Sequence, residues 1–316
     1  MFTLVESAAV QRQVSQMGIG VGNTQYTYDY QPVLQSEFST IESGLATNET
    51  VDVAVGDTVY SANGEAVELA AGTPVLIGDE IVEYDGTSAL QLPQLTVTYT
   101  LNAYTWSDGT AGSLDDVKLA YQINCDRQSG ATTFGGCDTF GTEEDTLGNI
   151  TWADDGSLSW TIKSWPGVQD PTYYVAPFTI SGQTVYPSHQ VLSDGRNLAD
   201  VPAAEWATLP EIAETPLSFG PFMISEWIKG QSITLDANPH YAPGTGVQQI
   251  IVVIIPDTNQ AVAQLLSGDV DYVEKATLGA GAEVQTVLDA AAEGRVNAEV
   301  IASPTWEHID MNLFLP

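Results

Sequence analysis

His189, His240 and His308 are the only histidines in the chain, and no two of them stand four positions apart. A helical His pair for zinc is therefore missing, and no metal site is expected. No H-E-x-x-H, G-x-S-x-G or phosphate-loop pattern occurs. Gly18-Ile-Gly-Val-Gly22 has the look of a nucleotide loop, but no strong strand precedes it, so it reads as a flexible loop. With 41 Asp and Glu residues, some carboxylates must lie close together, and a glycosidase-type acid/base pair cannot be singled out. Asp269, Asp271 and Glu274 have the charge to grip calcium, yet Asp271 alternates with Val270 and Tyr272. Solvated acids on a strand face are the preferred reading there.

Aromatic residues are the other chemical resource: 7 Trp, 13 Tyr and 8 Phe. Trp106, Trp152, Trp160 and Trp227 occupy strand or turn positions where core packing is the default. Two groups are better placed to line a binding cleft. Tyr26, Tyr28 and Tyr30 alternate on one side of an extended segment, and Trp306, Glu307 and His308 put an aromatic ring, an acid and an imidazole on one strand. Cys125 and Cys137 flank a Gly/Ser/Thr-rich loop with no second Cys or His pair to complete a zinc site. A loop-closing disulfide, contributing ~3 kcal/mol, is preferred over two free thiols.

The elements that must hold these residues are short strands and capped helices. Between Thr50 and Tyr84, alternating valines and the Ala62-Asn63-Gly64 turn predict a small all-β insertion at about residues 50–90. Leu95–Leu101 is a period-two strand, followed by the Trp106-Ser-Asp-Gly109 turn. A helix then starts at Ser113 with Asp115 and Asp116 in its first turn and an apolar stripe of Leu114, Val117, Ala120 and Tyr121. A hairpin is predicted around Asp154-Asp-Gly156 and another around Lys229-Gly230. Beyond Ile250 the pattern alternates: a strand, a helix over Asn259–Leu266 between Asp257 and Gly268, a strand at Val270–Val273, a helix near Ala282–Ala292, and a strand at Val296–Ile301. That alternation is the mark of an α/β layer.

Length and charge bound the function. The 316 residues allow about two domains. Hydrophobic residues make up 43% and mean hydropathy is −0.01, which excludes a membrane bundle and a disordered polyelectrolyte. Eight Lys and Arg against 41 acids leave a formal net charge of −33, which repels nucleic acid and anionic lipid alike. Solubility alone and a high-salt habitat both account for that charge. The N-terminus, Met1-Phe-Thr-Leu-Val-Glu-Ser7, carries no signal-peptide pattern. A cytosolic protein, or an exported one whose signal lies outside this sequence, remains.

Several segments, in order, resemble the peptide/nickel-type (family 5) extracellular solute-binding proteins of ABC importers. Tyr104-Thr-Trp-Ser-Asp-Gly-Thr110 with Ser113-Leu-Asp-Asp-Val117 is similar to that family's W-S-D-G and T-A-x-D-V block, with Gly112-Ser113 in place of Thr-Ala. Val185-Tyr-Pro-Ser-His189, Ser218-Phe-Gly-Pro-Phe222, Glu226-Trp227, Gly230 and Asn238-Pro-His-Tyr241 resemble further steps. So do Gln264-Leu-Leu-Ser-Gly-Asp-Val-Asp271 and Thr305–Asn312. The resemblance covers roughly residues 20–312.

The resemblance implies an α/β, periplasmic-binding-protein-like fold of the type II, three-lobe class, with mixed sheets and the small all-β insertion. Residues 1–40 plus 174–316 would form a discontinuous first lobe and residues 41–173 a smaller second lobe. The third lobe is absent, so the chain is expected to be a fragment. It implies a binder rather than an enzyme, without cofactor. Lobes would close on a hinge over a peptide or similar small solute and deliver it to ABC permease membrane subunits. The protein would be a monomer, extracellular or periplasmic and envelope-associated, with its signal or lipoprotein anchor missing from this chain. A secreted acidic hydrolase is the alternative, and a β-rich adhesive protein a third reading that the capped helices after residue 256 oppose.

Overall fold

The computed structural model describes residues 22–23, 30–32, 34–125, 149–167, 185–273, 275–278, 281–298 and 300. Strands β1 (Gly22–Asn23) and β2 (Tyr30–Gln31) pair antiparallel. Strand β3 (Ala46–Val53) leads into two hairpins, β4 (Thr58–Tyr60) with β5 (Ala66–Glu68) and β6 (Pro74–Ile77) with β7 (Glu80–Glu83). Strand β8 (Leu90–Thr100) then returns along the whole of β3. Helix α1 (Leu114–Cys125) precedes β9 (Ile150–Trp152) and β10 (Ser159–Lys163), and the main sheet is antiparallel in the order β3-β8-β10-β9. Two short helices follow, α2 (Ala203–Trp206) and α3 (Pro210–Ala213). A second sheet has the order β11 (Phe222–Ile228), β12 (Ser232–Ala237), β13 (Gln249–Val253). Helices α4 (Thr258–Ser267), α5 (Lys275–Leu278) and α6 (Ala282–Ala292) complete the described chain. Among the described residues, no helix is long and apolar enough to cross a membrane.

Strand β8 serves two cores on opposite faces. Leu90 and Leu92 are buried with Val53, Val59, Leu69 and Val75 in the core of the inserted hairpins. From Leu95 the buried positions change parity to Leu95, Val97 and Tyr99, which join Trp106, Val117 and Trp160 in the main core. Because neighbouring residues of a strand face opposite ways, the change of parity puts the two cores on opposite sides of the ribbon. The predicted Leu95–Leu101 strand is thus the second half of a longer one, and the insertion packs on the first half. Helix α1 is also buried twice: Val117 faces the main core, while Leu119, Ala120 and Ile123 pack with Tyr186, Leu198 and Trp206. The stripe expected from sequence covers the first face with Leu114, Val117 and Tyr121 and takes in only Ala120 of the second.

The described residues group into two units. One runs over Pro32–Val252, and the other joins β1 and β2 to the residues from Val253 onward. This grouping cuts the chain at other points than the lobe boundaries expected from sequence. In the first unit, the stretch after Pro32 lies along β8: Gln35 bridges Leu101, and Ser39 Oγ donates to the Thr98 carbonyl at 2.6 Å.

In the second unit α4 is capped as its sequence dictates. The Asp257 carboxylate accepts the Gln260 N–H at 2.8 Å, and Gly268 ends the helix at φ 82° with its N–H turned back to Gln264 and Leu265. Such an N-cap is worth about 1 kcal/mol. Two expectations are corrected here. Val270–Val273 is not a strand, and neither are residues 296–298 of the expected Val296–Ile301 strand. A short alternating run becomes a strand only where a neighbouring strand takes up its backbone groups. Among the described residues no strand pairs with Val270–Val273, the Val270 N–H turns back to the Gln264 carbonyl at 3.3 Å, and Tyr272 is exposed.

Candidate functional site

Asp116, the third residue of α1, is 1% exposed and accepts five hydrogen bonds. Oδ2 takes the Tyr104 hydroxyl at 2.8 Å, the Trp106 indole N–H at 2.9 Å and the Ser113 backbone N–H at 3.0 Å. Oδ1 takes the Ser188 N–H at 2.9 Å and its hydroxyl at 2.6 Å. The Ser113 bond is the back-reaching half of a capping box, so the same carboxylate fixes the start of the helix. Burial pushes the Tyr104 hydroxyl far above the usual tyrosine range, and the charge and hydrogen bond of Asp116 add to that.

The turn Trp106-Ser-Asp-Gly109 is held on three sides. Asp108 Oδ2 pairs with His189 Nε2 at 2.9 Å. Burial raises the Asp108 carboxyl, but the N–H of Thr110 and the His189 ring outweigh it and hold the group below its ordinary value. Ser107 donates its N–H to the Ser218 carbonyl at 2.7 Å and accepts the Ser218 N–H on Oγ at 3.1 Å. The His240 ring lies against Gly109, whose φ is +89°. Phe219 packs edge-on against Trp106 with centroids 5.1 Å apart and at 5.5 Å from Tyr104. Beyond it, buried Asn238 donates from Nδ2 to the Gly220 carbonyl at 2.9 Å and accepts the His240 N–H on Oδ1 at 2.9 Å.

Four sequence blocks are therefore tied into one junction: residues 104–117, 185–189, 218–222 and 238–241. The geometry also explains Gly112. A Cβ there would stand 2.2 Å from the Tyr104 ring, which has to cross this position to reach Asp116. A residue with a side chain cannot occupy it without moving the ring.

The junction's chemistry is positional. The carboxylate–imidazole pair of Asp108 and His189 is a component of hydrolase triads. Among the described residues, however, no hydroxyl or thiol hydrogen-bonds to His189, and the Ser188 hydroxyl is committed to Asp116. No group of three or more His, Cys, Asp or Glu among the described residues is placed to hold a metal. Asp271 is exposed, and Asp269 Oδ2 accepts the Ser267 hydroxyl at 2.7 Å.

Of the residues expected to line a cleft, Tyr30 sits in β2, paired with Asn23 of β1. Tyr26, Tyr28, Trp306, Glu307 and His308 lie outside the described residues. Cys125 is the last residue of α1, and Cys137 lies outside the described residues, so the expected bridge does too. Sequence reasoning passed over Asp116, taking it as a first-turn acid favoured by the helix dipole. A signal was present: Asp116 falls in phase with Leu119, Ala120 and Ile123, a buried face on which a carboxylate must have partners.

The model of a family described as bacterial extracellular solute-binding proteins, family 5 Middle, matches residues 91–313. The chain belongs to this family. The family 5 match takes in all four blocks that meet around Asp116. Among curated relatives, the oligopeptide-binding protein AppA of Bacillus subtilis (strain 168) is 38% identical over 76 residues, 24% of this chain and 14% of AppA. Protein XP55 of Streptomyces lividans is 25% identical over 205 residues, 62% of this chain and 33% of XP55. Among solved structures, AppA from Bacillus subtilis in complex with a nonapeptide is 18% identical at a TM-score of 0.49, covering 85% of this chain and 40% of that one. The chain spans 14% to 46% of the length of the curated relatives it matches.

Proposed function

We propose that this family 5 chain belongs to the solute-capturing component of an ABC importer, which takes up a peptide or similar small solute and delivers it to permease subunits in the membrane. The observation that carries the reading is the family match over residues 91–313. The junction around Asp116 supports it, because a protein that closes on a solute needs rigid bodies, and five bonds to one buried carboxylate make the surrounding blocks rigid. The 38% identity with a stretch of an oligopeptide-binding protein favours a peptide as the solute.

The second lobe in this reading is residues 41–173, and the first is residues 1–40 with 174–316. The sheet β3-β8-β10-β9 is built only from the former range and the sheet β11-β12-β13 only from the latter, in keeping with that division. Tyr26, Tyr28, Tyr30, Trp306, Glu307 and His308 are assigned to the cleft wall on their residue types, since flat rings stack on a solute and Glu307 and His308 can meet its charged ends. The protein works outside the cytoplasmic membrane, as a monomer anchored to the cell envelope. Nothing in the junction favours a hydrolase.

Isothermal calorimetry with a pool of short peptides tests the reading, using this chain together with any coding sequence that flanks it in the genome. Saturable heat of binding with unchanged peptides at the end supports capture. Release of cleaved peptide, or nickel binding with indifference to peptides, contradicts it.

A further inference from the structure

We propose that the outer edge of β7 docks an extended segment of a second protein, added as a strand, in which two apolar residues stand between basic ones. The phase of the hairpin decides which backbone groups are open. Gly78 and Asp79 form a two-residue turn with Gly78 at φ 61° and Asp79 at negative φ, the arrangement in which the closing pair Ile77 and Glu80 exchange backbone bonds. By alternation Val75 and Val82 exchange bonds as well. Beyond them the Tyr84 N–H still points to β6's side, reaching the Thr73 carbonyl at 2.9 Å, while the Tyr84 carbonyl accepts the Gly72 N–H at 2.7 Å. Pro74, in an intervening pair, turns its carbonyl outward to the Ala62 N–H at 2.7 Å. On β7 the intervening residues are Ile81 and Glu83, so their N–H and C=O groups point away from β6. No described residue bonds them.

The edge is also bare of side-chain cover. All four residues of β7 are exposed, with Ile81 at 65% and Val82 at 40%, whereas Val75 of β6 is fully buried. An apolar pair on an open strand edge is a template for strand addition.

Charge selects the occupant. No Lys or Arg occurs between Arg12 and Lys118, and Glu80 and Glu83 bracket Ile81-Val82. Opposed residues must share bonding phase, so a second copy pairs antiparallel through β7 either Ile81 on Ile81, which brings Asp79 against Glu83, or Val82 on Val82, which sets Glu83 against Ile81. Neither gives the glutamates a cation, and like charges directly opposite are destabilising. A segment reading basic-apolar-apolar-basic instead sets a cation opposite each glutamate and an apolar side chain opposite Ile81 and Val82. This docking is separate from solute capture and does not depend on it.

The test is fluorescence anisotropy of a labelled peptide containing Arg-Val-Ile-Arg with the 316-residue chain. Binding about tenfold or more tighter than that of the matching Glu-Val-Ile-Glu peptide is expected. Ile81→Pro removes an outward N–H while leaving the bonds to β6 intact, and it should weaken binding about tenfold. Glu80→Lys with Glu83→Lys, at exposed positions that leave folding unaffected, should reverse the preference toward the acidic peptide. Absence of binding, equal binding of both peptides, or binding unmoved by both variants (a peptide held in the solute cleft) would overturn the proposal. So would a dimer that Ile81→Pro dissociates, which would make the occupant a second copy.

Discussion

Ser188 and Asp116 stand 72 positions apart and meet through two hydrogen bonds, the serine N–H at 2.9 Å and its hydroxyl at 2.6 Å, both on Oδ1. Through that contact the helix that begins at Leu114 is joined to the Val185–His189 step, and the Asp116 carbonyl accepts the Tyr186 N–H at 3.1 Å as well. One side chain thus sets the register between two blocks that the sequence keeps far apart.

Removing that side chain leaves up to five buried or half-buried donors without their acceptor. Asp116→Ala is expected to lower stability by about 3–5 kcal/mol, because breaking a buried polar network is among the largest single-residue effects. Asp116→Asn should recover little of this, since its amide would point a donor at the Tyr104 and Trp106 donors or at those of Ser188. Urea unfolding followed by tryptophan fluorescence measures both, with Trp106 reporting from the junction itself.

Buried tyrosines make the fold sensitive to base. Burial raises the Tyr121 hydroxyl to about 12, against a smaller lowering by the Trp160 indole N–H, and it raises Tyr104 and Tyr186 further. A group whose pKa is higher folded than unfolded stabilises the fold fully below its unfolded value and loses that contribution as pH climbs through the folded one. Stability should therefore hold up to about pH 10 and fall between there and about pH 12. The unfolding midpoint in urea, measured alongside tyrosinate absorbance, checks this; a midpoint that rises over that window would contradict it.

The charge predicts a response to salt. A formal charge of −33 meets few ion pairs among the described residues, and those of Lys118, Arg196 and Lys229 are exposed and worth about 0–1 kcal/mol each. Repulsion among the acids is screened when the Debye length falls from about 10 Å at 0.1 M salt to about 3 Å at 1 M. The melting temperature is expected to rise by several degrees on going from low salt to 1 M potassium chloride. No rise would mean that the acids serve solubility and do not strain the fold.

Elements set by local chemistry were legible in the sequence. Helix α4 lies between Asp257 and Gly268 because a cap side chain and a left-handed glycine act within one turn. The hairpins at Asn63-Gly64, Asp154-Asp-Gly156 and Lys229-Gly230 formed for the same reason. Elements that depend on distant partners were not legible. The run Val270–Val273 alternates like a strand and has no strand to pair with among the described residues, and the parity change in β8 follows from a second core that only the folded insertion creates. Asp116 looked like any first-turn acid because its partner Ser188 declares itself only in three dimensions. The ordered blocks fared better, since each carries its own residue pattern and the order adds to it.

The most direct measurement is calorimetric titration of a defined peptide pool into the protein, with mass analysis of the peptides afterwards. Solute capture predicts saturable binding, a higher melting temperature in the presence of the bound peptides, and every peptide recovered intact. Peptides recovered cleaved, or a flat titration alongside tight binding of nickel, would contradict it.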